Sequence, residues 1–414
     1  MTYQKYIKAL WAAVVMTTAS ACVQIDVDHG TSDGEISISP VTSMPAKSIP
    51  GAIIGTTFPQ NETMGIFAFH NPTAGAGAWE NTAGVVPYVY YKNADGNQIL
   101  NNDKPIAAEF GYRDGKGAWG GIISTLSDDG KSFISRKDQP HTWPEEGSLI
   151  FAGISPYYKF QAVNTEHQTM DGTLKPLKEM ATFDVATRTL SVPSYTVGQY
   201  IPMTGEQIAD PDHEYINTTQ SDAMFFMPQV VDGKYVGVNK MSSYHANFHH
   251  ALSLVEFKVR AEDDYDVNHV HIDRIKLEQV YHTGDFTATI DDDGRITAEW
   301  TGLEHHAGKD VNIFGFDEPH APGAELELDM DLRSVAQLLI IPGPTHRIKV
   351  DCHVYTVDRY YEQSYIIRPE EIGILNWEIG KRYVYNLIVG LNKLSFSPEV
   401  HEWDDKDGGD VTAQ

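Results

Sequence analysis

Apolar and polar residues alternate along most of this chain, in runs too short for helices and of the right length for strands. In Glu35-Ile36-Ser37-Ile38-Ser39-Pro40-Val41 the apolar residues alternate with serine, which predicts a strand with one buried face. Pro40 places that strand at an edge or a terminus. The next two hundred residues repeat the theme in Met64 to His70, Val85 to Tyr91 and Ser148 to Ile154, with turn clusters such as Asn93-Ala94-Asp95-Gly96 between them. Thr165 to Glu179 and Gly198 to Asp212 read as polar, irregular connections. From Tyr244 the alternation sharpens. Val255, Phe257 and Val259 share a face, and Val270-Ile272 followed by Ile275-Leu277 requires a bulge to keep both pairs inward. Phe286 to Ile290, Asp291-Asp292-Asp293-Gly294 and Arg295 to Trp300 predict a hairpin. Leu338 to Pro342, Ile348 to Val357 and Lys381 to Leu391 supply further strands, and beyond them Leu394, Phe396 and Val400 share one face. With a boundary in the turn-rich stretch 229–243, the pattern predicts an all-β protein of two tandem β-sandwich domains, 35–235 and 236–414. The second ends in a terminal strand and an acidic tail.

Length and charge agree with that picture and narrow the partners. The chain has 414 residues and a net charge of −26, so it would repel phosphate backbones and is not expected to bind nucleic acid. Two cysteines, Cys22 and Cys352, exclude a disulfide scaffold and a paired-cysteine zinc or redox site. Residues 1–21 read as an export signal, with Lys5 and Lys8 ahead of an apolar run from Ala9 to Met16 that is too short to span a bilayer. Small residues Ala19-Ser20-Ala21 directly before Cys22 resemble a bacterial lipobox, with Ala19 standing where such boxes usually carry Leu. On that reading, preferred to an ordinary secretory signal cleaved near Ala21, Cys22 is the lipidation site, palmitate or a similar acyl chain anchors the protein to the outer membrane, and residues 22–34 form a tether.

No catalytic constellation emerges. Gly115 to Gly120 matches a dinucleotide fingerprint on paper but lacks the strand before it and the helix after it. His213-Glu214 and His401-Glu402 begin a zinc-protease pattern without its second histidine, and Asp404 to Asp410 lacks the terminal Glu of a calcium loop. His245, His249, His269 and His271 form two groups that a metal would need to bridge, with no carboxylate or cysteine completing a ligand motif. No enzyme activity, cofactor or metal is therefore expected.

Several segments together resemble the fimbrillin-like proteins of Bacteroidetes, the type V pilin family. Thr142-Trp143-Pro144-Glu145 through Leu149-Ile150-Phe151-Ala152 to Pro156 is similar to the family's Trp-Pro strand, and Asp222-Ala223-Met224-Phe225 to the segment closing its first domain. Phe248-His249-His250-Ala251-Leu252 resembles the strand opening the second domain, followed by Thr283-Gly284-Asp285-Phe286. Asn376-Trp377-Glu378 to Tyr383, and then Leu394 to Trp403, resemble its C-terminal signature.

The resemblance implies tandem transthyretin-like sandwiches, export as a lipoprotein, trimming of the first strand by a surface protease, and polymerisation by strand exchange with other fimbrial subunits. Ile36 and Ile38 then belong to the removable first strand, and the loop at Lys47-Ser48 is the candidate processing site. The first arginine is Arg113, so an arginine-specific protease has no site before the first domain. Either a lysine-accepting enzyme cuts at Lys47 or the chain stays untrimmed as an anchor or accessory subunit. Leu394, Phe396 and Val400 form the candidate donor strand; the alternative is a final strand packed in its own domain. The expected function is a structural or adhesive subunit of a cell-surface fimbria with a host or bacterial surface ligand. The competing reading is a monomeric surface lipoprotein binding glycans through Trp79, Trp119 and Tyr88 to Tyr91, although these aromatics are more readily read as ordinary sandwich core.

Overall fold

The computed structural model describes residues 34–42, 58, 60, 62–92, 97, 100–101, 103–113, 116–126, 128, 133–162, 172–176, 181–198, 220–262, 269–305, 310–315, 326–356, 359–390 and 393–403. Cys22, Lys47, Ser48 and the acidic tail lie outside these residues. The fold is all-β, as the alternation predicts; among the described residues the helical content is one 3-10 turn, Pro369–Ile372.

The N-terminal sheet closes on itself. Its strands run in the order Ile38–Thr42, Tyr244–His250, Met224–Phe226, Ser148–Ser155, Thr63–Asn71, Ala108–Arg113 and Ala118–Leu126. The last of these returns to the first strand through a single pair, Ile38 opposite Trp119. The first strand runs parallel to Tyr244–His250, with Ile38 opposite Tyr244 and Thr42 opposite Phe248. Every other pairing in the ring is antiparallel. Aromatic and branched residues fill its interior, among them Phe58, Phe110, Phe151, Phe226 and Phe248.

A true sandwich forms the C-terminal part. One sheet has the order Arg333–Ile340, Ser253–Ala261, Lys381–Val389, Leu394–Glu402; the other has Asp310–Phe314, His269–Glu278, Ile348–Tyr355, Tyr360–Ile367. Their inward residues, including Phe257, Ile275, Val350 and Tyr385, form one core. The bulge required by the pattern falls between Ile272 and Arg274, where the register with Ile348–Tyr355 shifts.

Two features depart from the sequence expectation. Gly172–Pro176, inside a stretch read as irregular, is a strand paired with Tyr158–Ala162. The hairpin Tyr281–Ile290 and Ile296–His305 also leaves the sandwich and extends a sheet begun by Thr182–Asp184 and Thr189–Thr196. A third core, with Phe183, Tyr195, Phe225, Phe286 and Trp403, lies under this shared sheet. The hairpin turn forms as expected: the Asp291 amide donates to the Arg295 carbonyl at 3.0 Å, and Gly294 takes a φ of +78° that only glycine adopts cheaply. Ala251 and Leu252 link the ring strand Tyr244–His250 to the sandwich strand Ser253–Ala261.

Candidate functional site

The seam where the first strand closes the ring holds Ile36 and Ile38 against the opposite wall. Ile36 and Ile38 are each 1% exposed, in a core with Trp119, Trp143 and Met224. The approach to the strand is held by backbone bonds to the opposite wall: Ile36 donates to the His141 carbonyl at 2.7 Å, and Trp143 donates to Gly34 at 2.7 Å. Tyr244 donates to the Ser37 carbonyl at 2.8 Å. The serines face the other way and are also used. Ser37 Oγ donates to the Trp119 carbonyl at 3.2 Å, and Ser39 Oγ lies 2.7 Å from Ser243 Oγ.

An ionic clasp sits at the head of the strand. Glu35 Oε2 is 3.1 Å from Arg113 Nη2 and 3.1 Å from Lys116 Nζ. Burial opposes ionisation of Glu35, but the Lys116 ammonium and the Arg113 guanidinium outweigh it and hold its carboxyl below the ordinary value. The Arg113 side chain is only 3% exposed and lies over Gly120, where any Cβ would collide with the guanidinium. The first arginine of the chain is therefore a structural residue. Nothing in the sequence marks Glu35 and Lys116 as partners, because they are 81 positions apart and meet only when the ring closes.

His141 abuts the same seam. Its ring stacks on Phe110 at 5.6 Å, and its buried Nε2 has no hydrogen-bond partner among the described residues. Burial, helped by the Lys92 charge, pushes its pKa down to about 4 from 6.5. A depressed histidine contributes stability above its unfolded pKa and loses it as pH falls through the folded one. The lowered Glu35 behaves likewise, losing its contribution as pH falls below its ordinary 4.5. Acid is thus expected to loosen the first strand. The wild-type melting temperature should drop between pH 6.5 and pH 4, and His141→Phe, which keeps a ring on Phe110, should drop less. Identical pH profiles for the two proteins would remove His141 from this account.

The candidate donor strand occupies its own domain in this state. Leu394–Glu402 is the edge of its sheet, antiparallel to Lys381–Val389, with Leu394 opposite Val389 and Glu402 opposite Lys381. Leu394, Phe396 and Val400 are half-buried against the sandwich core, and the Phe396 ring stacks on Tyr385 at 5.3 Å. Trp403 ends the strand. Its amide donates to the Gly380 carbonyl at 2.8 Å, and its ring stacks at 3.9 Å on His250, whose Nδ1 lies 2.8 Å from Asp222 Oδ2.

The remaining candidates do not converge. Trp79 and Trp119 are 1% and 8% exposed, which makes them core residues and tells against the competing reading of them as a stacking platform for glycans. Trp79 Nε1 donates to Ser148 Oγ at 2.7 Å, and Trp119 packs edge-on to Phe58. Tyr88, Tyr90 and Tyr91 are half-buried, with the Tyr88 hydroxyl donating to the Thr142 carbonyl. His245 and His249 lie on a ring strand, whereas His269 and His271 lie on the sandwich, where His271 stacks on His353 at 4.8 Å. Among the described residues, no group of three or more His, Cys, Asp or Glu side chains is placed to hold a metal ion.

A family model described as fimbrillin-like matches residues 236–403, which span the last ring strand, the shared hairpin and the whole sandwich. That part of the chain, less than half of it, is fimbrillin-like. The Trp143-Pro144 and Asp222 to Phe225 segments lie outside that match. No curated protein matches the chain. Among solved structures, a fimbrial protein from Bacteroides vulgatus is 12% identical, with 89% of this chain and 99% of that one covered and a TM-score of 0.42. The tip fimbrial protein Mfa3 from Porphyromonas gingivalis, with C-terminal truncation, is 8% identical, with 83% and 94% covered and a TM-score of 0.28.

Proposed function

We propose that this fimbrillin-like chain is a structural or adhesive subunit of a surface fimbria, exported as a lipoprotein and polymerised by strand exchange with other fimbrial subunits. The observation that carries the reading is the position of the first strand, a short stave that closes the ring through one residue pair and runs parallel in an otherwise antiparallel sheet. Withdrawing it would leave an apolar slot and a row of unpaired backbone groups along Tyr244–His250, which a neighbour's strand fills. The contact is head-to-tail and does not close, so it propagates as a fibre. Ile36 and Ile38 are the side chains withdrawn, Lys47-Ser48 is the processing site, and Leu394, Phe396 and Val400 are the donor face. Electron microscopy of producing cells, with N-terminal analysis of the surface protein, tests this. Fibres containing chains that begin at Ser48 are the expected result, and a purely monomeric surface protein would refute it.

Anchorage is tested separately. Growth with a radiolabelled fatty acid should label the wild-type chain and leave Cys22→Ser unlabelled; equal labelling would discard Cys22 as the acylated residue.

A further inference from the structure

Two segments at opposite ends of the chain carry the same pattern. Ile36-Ser37-Ile38-Ser39-Pro40 leads into and forms the first strand, and Leu394-Ser395-Phe396-Ser397-Pro398 begins the terminal strand. Ser, an apolar residue, Ser and Pro in succession occur at these two places and nowhere else in the sequence. In both strands the apolar side chains at positions one and three pack on a core.

Each position of the pattern has a use in the ring. The two isoleucines enter the core, Ser37 binds the Trp119 carbonyl, and Ser39 meets Ser243. Pro40 has no N–H and lies beyond the one pair with Trp119 that closes the seam. A strand replacing the first one must therefore bring two apolar residues, two hydroxyls and a tolerated proline, in that order. The terminal strand brings all five.

We infer that the terminal strand of a second copy of this chain enters the slot in one register and one direction. Leu394 takes the place of Ile36, Ser395 of Ser37, Phe396 of Ile38, Ser397 of Ser39 and Pro398 of Pro40, and the incoming strand runs parallel to Tyr244–His250. This rests on the strand-exchange reading and adds to it the register, residue by residue, and the direction that the register fixes. Other registers fail on the same chemistry. A slip of one residue turns the serines into the core and the apolar pair out of it. A slip of two puts Pro398 where Ile38 pairs with both Tyr244 and Trp119, removing a donor from a position bonded on both sides.

Cysteine pairing tests the register in fibres from producing cells. Ser39→Cys with Ser243→Cys is the positive control and should close within one untrimmed chain, since the two hydroxyls are 2.7 Å apart. Ser397→Cys with Ser243→Cys should give ladders of covalent multimers on oxidation, with the joined peptides identified by mass spectrometry. Ser395→Cys with Ser243→Cys should give at least tenfold less. Cys352 is buried and does not compete. Equal ladders from both pairs, or fibres in which neither pair joins, would overturn the register while leaving strand exchange standing. A wild-type chain that forms no polymer would overturn strand exchange and this inference with it. Phe396→Ile, which makes the third position identical to that of the first strand, should keep polymer yield within twofold of wild type. A tenfold fall would overturn the equivalence even where a cysteine variant fails to fold.

Discussion

Ile38→Asp is expected to unfold the N-terminal ring, whereas Val41→Asp on the same strand should leave it nearly unchanged. Ile38 is 1% exposed and is paired on both sides, to Tyr244 and to Trp119; Val41 is 36% exposed. An unpaired carboxylate in an apolar core costs several kcal/mol even after the protein relaxes around it. A domain of this size has about 5–15 kcal/mol of total stability, so that penalty removes much of it. Surface substitutions of the Val41 kind shift stability by no more than about 0.5 kcal/mol. Thermal melts and limited proteolysis of the two purified variants measure the difference. Equal melting temperatures would mean that the ring does not depend on its first strand, and the slot that strand exchange requires would not exist.

The same residues show how far a sequence can be read. The alternation of Ile36 and Ile38 with serine, the bulge after Ile272 and the glycine turn at 294 are local facts, and each stands in the structure where the period-2 pattern puts it. Closure of the ring is not local. Ile38 meets Trp119, and Glu35 meets Arg113 and Lys116, across spans in which no short-range pattern names a partner. Composition also gives no burial for individual aromatics: Trp79 is one more large side chain beside a turn until Ser148 and Tyr235 are placed around it. The strand Tyr244–His250 is a harder case. Its alternating Ala246, Phe248 and His250 are legible as an inward face, yet nothing in them says that the face belongs to the ring. That choice is made by the first strand and by Met224–Phe226, which flank it. Buried polar groups mark the same limit, since Asp222 and His250 are compatible with a core only because they face each other under Trp403.

Phe396→Asp and Ser397→Asp should separate what the terminal strand does at home from what it does in a neighbour. In its own domain Phe396 is half-buried and stacked on Tyr385, so its replacement is expected to cost about 2 kcal/mol of monomer stability, roughly half the value for a fully buried Phe. Ser397 is exposed there, and Ser397→Asp should leave the melt within about 0.5 kcal/mol of wild type. In the slot of the first strand both positions change character. Phe396 would fill a site whose present occupant, Ile38, is 1% exposed, and Ser397 would face Ser243 in the half-buried position of Ser39. A carboxylate at the first site should reduce polymer at least 100-fold, because each 1.4 kcal/mol is about a factor of ten and the buried charge costs several. At the second site the charge keeps partial contact with water, so a loss of about tenfold is expected. Fibres persisting in Phe396→Asp would remove the terminal strand as donor. Fibre loss in Phe396→Asp alone, with a collapsed monomer and normal assembly in Ser397→Asp, would assign Phe396 to its own core. Assembly lost in Ser397→Asp while the monomer melts normally is the outcome that a strand packed permanently in its own domain cannot produce, since a solvent-facing hydroxyl there has nothing to lose.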